Sequence, residues 1–256
     1  MSDNPFASPA FQDATQTPPV SPRRLGSKLL RLTLVAAIIV VLAAIFLPSP
    51  RRVREAARRT QCKNNLKQIC TALHNYHDNF GSFPPAYTVD SNGRMLHSWR
   101  TLLLPYLEQE QLYRQIDFSK PWYDPMNATA FESSVGIFQC HSTEQPKNHT
   151  SYLGVSGPDC CFHASTPKLL TDITDGPSNT LIVVEVPHDR TVPWMSPQDA
   201  DEASILDFAI GSKFAHTGGF QATFADGSVR FISENLERSI LRALLTTSGK
   251  DAVGEF

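Results

Sequence analysis

The chain has 256 residues and a formal net charge of −2, a length that admits one large domain or two small ones and a net charge that by itself points to no partner. The distribution of charge says more. Arg51, Arg52, Arg54, Arg58, Arg59, Lys63 and Lys67 stand against the single acid Glu55, while residues 68–256 carry 12 Lys+Arg against 22 Asp+Glu. An acidic C-terminal part does not suggest nucleic-acid binding, which needs a basic face to neutralise phosphates.

Residues 1–28 are rich in Ser, Pro, Asp, Gln and Thr and carry no periodicity, so a disordered tail is expected. Leu32–Leu47 follows as sixteen uncharged, almost wholly apolar residues. As a helix it would span about 24 Å, short of a hydrocarbon core of about 30 Å. Leu29 and Leu30 lengthen it if Arg31 snorkels to the headgroups. The run ends in Ile-Phe-Leu-Pro and not in a small-x-small cleavage site, which favours an uncleaved anchor over a secretory signal. The basic cluster after it suits anionic headgroups. By the positive-inside count alone, residues 51–67 would lie in the cytoplasm.

From Leu66 onward, Ile69, Cys70, Leu73, Tyr76, His77 and Phe80 recur at three- and four-residue steps, one apolar stripe on a polar helix. The expectation is therefore one long anchor helix over 29–80, in the membrane at about 29–47 and amphipathic over 51–80. Gly81 and the prolines 84 and 85 stop it.

Residues 81–256 read as one α+β domain. His97–Tyr113 suggests a short helix that Pro105 kinks or breaks. Lys120–Thr129 reads as a loop whose Trp122 and Tyr123 cover the core. Strands are expected at Gly136–Gln139, Ser151–Val155 and Leu181–Val186, the last a β-branched run suited to a buried strand. Phe220–Ala225 and Ser228–Ile232 alternate about Asp226-Gly227, a two-residue hairpin signal. Ser233 then offers a cap for an amphipathic helix through Leu236, Ile240, Leu241, Leu244 and Leu245. No internal repeat is present.

Several stretches in order resemble a known family. They are Arg-Glu-Ala-Ala-Arg-Arg (54–59), Gln-Cys-Lys-Asn-Asn-Leu-Lys-Gln (61–68), Ala-Leu-His-Asn-Tyr-His-Asp (72–78) and Gly-Ser-Phe-Pro-Pro (81–85). Further on come Leu-Pro-Tyr-Leu-Glu (104–108), Ser-Tyr-Leu-Gly-Val-Ser-Gly-Pro (151–158), Asp-Ile-Thr-Asp-Gly-Pro-Ser-Asn-Thr (172–180), His216 nine residues before Asp226-Gly227, and the tail Val-Gly-Glu-Phe (253–256). Together they resemble the prepilin-like proteins of unknown function that end in an H-X9-DG motif (domain of unknown function 1559). The resemblance implies a type IV pilin-like N-terminal helix, single-pass in the cytoplasmic membrane, with the globular part outside. It implies no established activity. The family's greasy run usually begins Gly-Phe-Thr-Leu-Val-Glu; here Arg31 stands for the glycine at which the prepilin peptidase cuts, and Ala36 for the glutamate used in pilus assembly.

Candidate chemistry is thin. His216 and Asp226 could form an acid–base pair or a metal contact, but Asp226-Gly227 is already explained as a turn, which favours structural hydrogen bonding for all three motif residues. Asp172, Asp175, Asn179 and Glu185 could offer oxygens to calcium, without EF-hand spacing; calcium is the only cofactor suggested. His74 and His77 lie three apart on the helix with no third ligand in the pattern. No CxxC occurs, and Cys140 could pair with Cys160 or Cys161 in an oxidising compartment, or all could be buried free thiols. No phosphate loop or Gly-x-Ser-x-Gly elbow is present.

The leading expectation is an anchored, non-enzymatic structural or interaction protein of the cell envelope. Its partners would be the bilayer and other pilin-like or envelope proteins, with Ala36, Ala37, Ala43 and Ala44 allowing close helix approach. The alternative is an anchored module for an extracytoplasmic solute, sugar or calcium, whose pocket would be lined by Trp99, Trp122, Tyr123 or Trp194.

Overall fold

The computed structural model describes residues 25–46, 50–208 and 213–249. The chain separates into two units, residues 1–49 and 50–256. The first contains helix α1 (Leu25–Phe46). It takes in the last four residues of the expected tail, 25–28; the rest of that tail and Leu47 lie outside the described residues. Its aliphatic side chains are exposed on every side, from Leu29 (59%) through Leu32 (76%) to Leu42 (46%). Among the described residues no helix is long and apolar enough to cross a membrane.

The second unit opens with α2 (Pro50–Phe80). Residues 47–49, between α1 and α2, lie outside the described residues. Cys62, Leu66, Ile69, Cys70 and Leu73 are fully buried, and Asn65 nearly so, which is the three-and-four spacing of one helix face. The stripe thus begins a turn earlier than the apolar pattern suggests. It also fades earlier: Tyr76 and His77 are half-buried, and Phe80 is 63% exposed, stacking back on Tyr76.

That face lies on a four-stranded antiparallel sheet with order β4 (Tyr152–Gly154), β5 (Leu181–Glu185), β7 (Gly219–Phe224), β8 (Val229–Ser233). Two small pairs stand beside it: β1 (Tyr87–Val89) with β2 (Met95–Ser98), and β3 (His149–Thr150) with β6 (Val192–Pro193). The architecture is mixed α+β, as the sequence suggests. Pro105 does break the first globular helix: α3 (Trp99–Leu102), a 3-10 turn at Leu104–Leu107 holding the proline, and α4 (Glu110–Tyr113) replace it. Within the segment read as a loop, α5 (Ala128–Phe131) follows a 3-10 turn at Pro125–Asn127.

Three expectations fail locally. Gly136–Phe138 is a 3-10 turn and not a strand; three residues of Gly, Ile and Phe carry too little pattern to separate the two, and no partner strand meets them. The hairpin loop is wider than Asp226-Gly227. The strands end at Phe224 and resume at Val229, and in the turn Gly227 adopts a left-handed φ of +87° while Asp226 Oδ1 accepts the Ser228 N–H at 2.8 Å. The last helix, α7 (Arg238–Ala243), starts later than Ser233 would cap it; that serine's hydroxyl accepts the Asn235 N–H instead.

β5 is buried along its whole length, because both faces of the sheet are covered. On one side Ile182 and Val183 join the α2 stripe, Trp99, Phe138 and Trp194. On the other, Leu181, Val184 and Val186 meet Phe220, Phe224, α6 (Glu202–Phe208) and α7. An irregularity in the β5–β7 register between Leu181 and Val183 shifts the alternation, so Glu185 falls in step with Val183 on the α2 side. α2 is tied to the hairpin by Lys67 Nζ on the Gly227 carbonyl (2.7 Å), His74 Nε2 against the Ala225 carbonyl (3.0 Å) and Arg59 over the Phe231 ring (3.7 Å).

Candidate functional site: a buried thiol, imidazole and carboxylate cluster

Cys62 on α2, Cys140 just past the 3-10 turn at Gly136–Phe138, Glu185 at the end of β5 and His216 ahead of β7 converge on one point. Their ligand-type atoms all lie within 4.8 Å of one another. All four are buried, at 0%, 1%, 1% and 1% exposure. The helix stripe carries Cys62 inward, the register shift turns Glu185 to the same side, and the Cys140 N–H donates to Ser151 Oγ at 3.1 Å, which fixes its approach.

The two sulfurs are 2.6 Å apart. Cys140 Sγ is 3.7 Å from His216 Nε2, and that nitrogen faces Glu185 Oε1 at 3.5 Å. His216 Nδ1 is 2.8 Å from Oε1 of the half-buried Glu55, near the start of α2. Glu185 Oε2 accepts the Gln221 N–H at 3.1 Å. Two buried oxygens, Glu185 Oε1 and the Tyr152 hydroxyl, have no hydrogen bond of good geometry and face His216 and Cys62.

Protons settle unevenly here. The Cys140 thiol, ahead of the opposing effect of burial and with His216 assisting, holds Cys62 down to about 5. Cys140 is pushed far above an ordinary thiol by its bond to Cys62 and by burial. Burial works to lower His216, but hydrogen bonds to Cys62 and Glu185 together with the carboxylate charge overcome it and raise the imidazole to about 10. The shifts run toward a Cys62 thiolate and a protonated His216, in a cluster walled off from solvent.

His216 is held in place by Gly219, with which it forms a β-bridge. Gly219 has φ +153°, and a Cβ there would run into the Ile232 carbonyl oxygen across the hairpin. Gly219→Ala is expected to cost about 3 kcal/mol, from a strained backbone plus that clash. Urea denaturation would read the loss. Faster labelling of Cys62 and Cys140 by a thiol reagent would show that the cluster loosens with it.

The sequence-derived candidates fall differently. Asp226-Gly227 is at the far end of β7 from His216, on the order of 17 Å along a six-residue strand, so the motif's histidine and aspartate do not form a pair. Cys140 lies against Cys62, not against Cys160 or Cys161. Cys160 belongs to the opposite core cluster, and burial raises its thiol to about 11 and that of Cys161 further still. The residues named for calcium take part in local hydrogen bonds. Asp172 Oδ2 accepts the Leu169 N–H, Asp175 Oδ2 accepts from Gly249 N–H and Thr246, and Asn179 donates to the Asp175 carbonyl. The nitrogens of His74 face the Cys70 and Ala225 carbonyls, and His77 takes the Leu170 N–H. Trp99 and Trp194 are fully buried, so neither can line an open pocket.

Sequence reading did not join Cys62 to this site or give Glu185 its place there. The available signal was a carboxylate inside the apolar run Leu181–Val186, since an unpaired buried charge is too costly to be incidental.

Residues 51–168 match the model of a family described as "Protein of unknown function (DUF1559)". Over that stretch the chain is similar to an uncharacterised family. The match takes in Glu55, Cys62 and Cys140 and ends before Glu185 and His216. No curated protein and no solved structure matches the chain.

Proposed function

We propose that this is a single-pass, membrane-anchored protein of the cell envelope, prepilin-like in plan, whose globular part is an extracytoplasmic structural or interaction module without catalytic activity. The observation that carries the reading is the surface of α1, where large aliphatic side chains from Leu29 to Leu42 are each 46% exposed or more. A helix apolar on all sides is stable only in apolar surroundings, and lipid or neighbouring helices supply them. Leu47, the end of the apolar run in the sequence, and a snorkelling Arg31 extend it toward bilayer thickness. Against catalysis stands the burial of the thiol and imidazole cluster found among the described residues, which leaves a substrate no approach to Cys62 or His216. The alternative of a solute- or calcium-binding module would have to use Trp122 and Tyr123, since Trp99 and Trp194 are fully buried.

Alkaline carbonate extraction with protease digestion of cells and spheroplasts tests this. The full chain is expected to stay in the membrane pellet, and its globular part to become digestible once the outer barrier is opened. Ile38→Lys with Val41→Lys is expected to move it to the supernatant, each charge costing about 2.5–3.5 kcal/mol at mid-membrane. A wild-type chain released by carbonate would end the anchor reading. A globular part protected in spheroplasts would end the extracytoplasmic one.

A further inference from the structure

We propose that Cys62, Cys140, Glu185 and His216 bind one thiophilic divalent metal ion of the zinc class, as a closed structural site that fastens α2 to the sheet. Two sulfurs, an imidazole nitrogen and a carboxylate oxygen form a donor set suited to a borderline-soft ion with four-fold coordination. Calcium and magnesium, which take oxygen ligands, do not fit it.

Three further features point to an ion and not to ordinary packing. Glu185 Oε1 is buried and points at the cluster with no hydrogen bond of good geometry, only the His216 ring nitrogen 3.5 Å away; a metal ion would supply the closer partner that a buried carboxylate needs. The Tyr152 hydroxyl, on the residue paired with Glu185 across the sheet, is buried against Cys62. His216 has its outer nitrogen, Nδ1, on the Glu55 carboxylate at 2.8 Å, which directs Nε2 inward. A carboxylate on the far nitrogen is the usual outer support of a metal-bound histidine, fixing its tautomer and orientation.

The sulfurs must part on binding. Around a tetrahedral ion with bonds of about 2.3 Å, two thiolates sit about 3.8 Å apart, roughly 1.2 Å more than the 2.6 Å contact seen here. All four ligands come from the protein and all are buried, so no position is left for water or substrate. That arrangement is structural and not catalytic. It joins four segments that no disulfide links among the described residues, and it holds α2 through Cys62 and, indirectly, through Glu55. The inference does not depend on where α1 resides.

The test is metal analysis of the full chain, purified in detergent under reducing conditions, followed by replacement with Co2+. One equivalent of zinc or a similar ion is expected, and the cobalt form should show thiolate-to-metal absorption in the near ultraviolet with visible bands of tetrahedral intensity. Glu55→Gln, which touches only the outer nitrogen of His216, should weaken affinity about 10–100-fold and leave the cobalt spectrum's form unchanged. Cys62→Ser should remove the thiolate band or shift it. Because the spectrum is read first on the unaltered chain, a variant that fails to fold does not decide the matter. Absence of stoichiometric metal together with a featureless cobalt titration overturns the proposal. So does recovery of Cys62 and Cys140 as a disulfide in a protein that binds no ion after reduction.

Discussion

Arg100→Ala is expected to lower the stability of the globular part by about 3–5 kcal/mol, a large share of a domain's usual margin of about 5–15 kcal/mol. The guanidinium is fully buried, and its partner Asp199, 2.7 Å away, is 2% exposed. Every donor direction is used. Nε donates to the Trp194 carbonyl, Nη1 to Asp199 and the Tyr152 carbonyl, and Nη2 to the carbonyls of Ser196 and Gln198. Asp199 in turn accepts the Trp99 indole and the Gly154 N–H. Truncating the arginine leaves a buried carboxylate and four carbonyls without their donor. Arg100→Lys should rescue little, since an ammonium cannot reach five acceptors from one planar fork. Urea denaturation followed by tryptophan fluorescence measures both. A loss under 1 kcal/mol for Arg100→Ala would mean that water replaces the guanidinium and that the network does not clamp the loop over 194–199.

Leu66→Ala is expected to cost about 2–5 kcal/mol, while Lys63→Ala, one turn away on the exposed face, should stay within about 0.5 kcal/mol. Leu66 is fully buried among the residues that α2 contributes to the first core cluster. Removing its isobutyl group opens a cavity that the sheet beneath cannot close, because β5 is itself covered on both faces. Equal effects at the two positions would show that α2 is not packed as described. The pair thus separates a docked helix from a solvated one, using the same denaturation curves.

Much of this arrangement was legible from local sequence. The three-and-four spacing of Leu66, Ile69, Cys70 and Leu73 announced the buried face of α2. The unbroken run from Leu181 to Val186 announced a strand covered on both sides, and Asp226-Gly227 announced the β7–β8 turn. Each is a short-range pattern whose period or turn chemistry leaves few alternatives. Weak patterns misled: Gly136–Gln139 read as a strand because three apolar or flexible residues fit either backbone.

The cluster was not legible in the same way. Cys62 and Cys140 are 78 residues apart, and Glu55 and His216 are 161 apart. Nothing in the spacing along the chain encodes either meeting. The same holds for Arg100 and Asp199, 99 residues apart. By itself the sequence determined the buried face of α2, the strand β5 and the β7–β8 hairpin, because burial of such elements is written in periods of two and 3.6 residues and in turn chemistry. Only the tertiary structure decided which polar groups share the interior. That depends on strand order, on a one-residue shift in the β5–β7 register and on the way α2 crosses the hairpin, and none of these leaves a periodic trace in the chain.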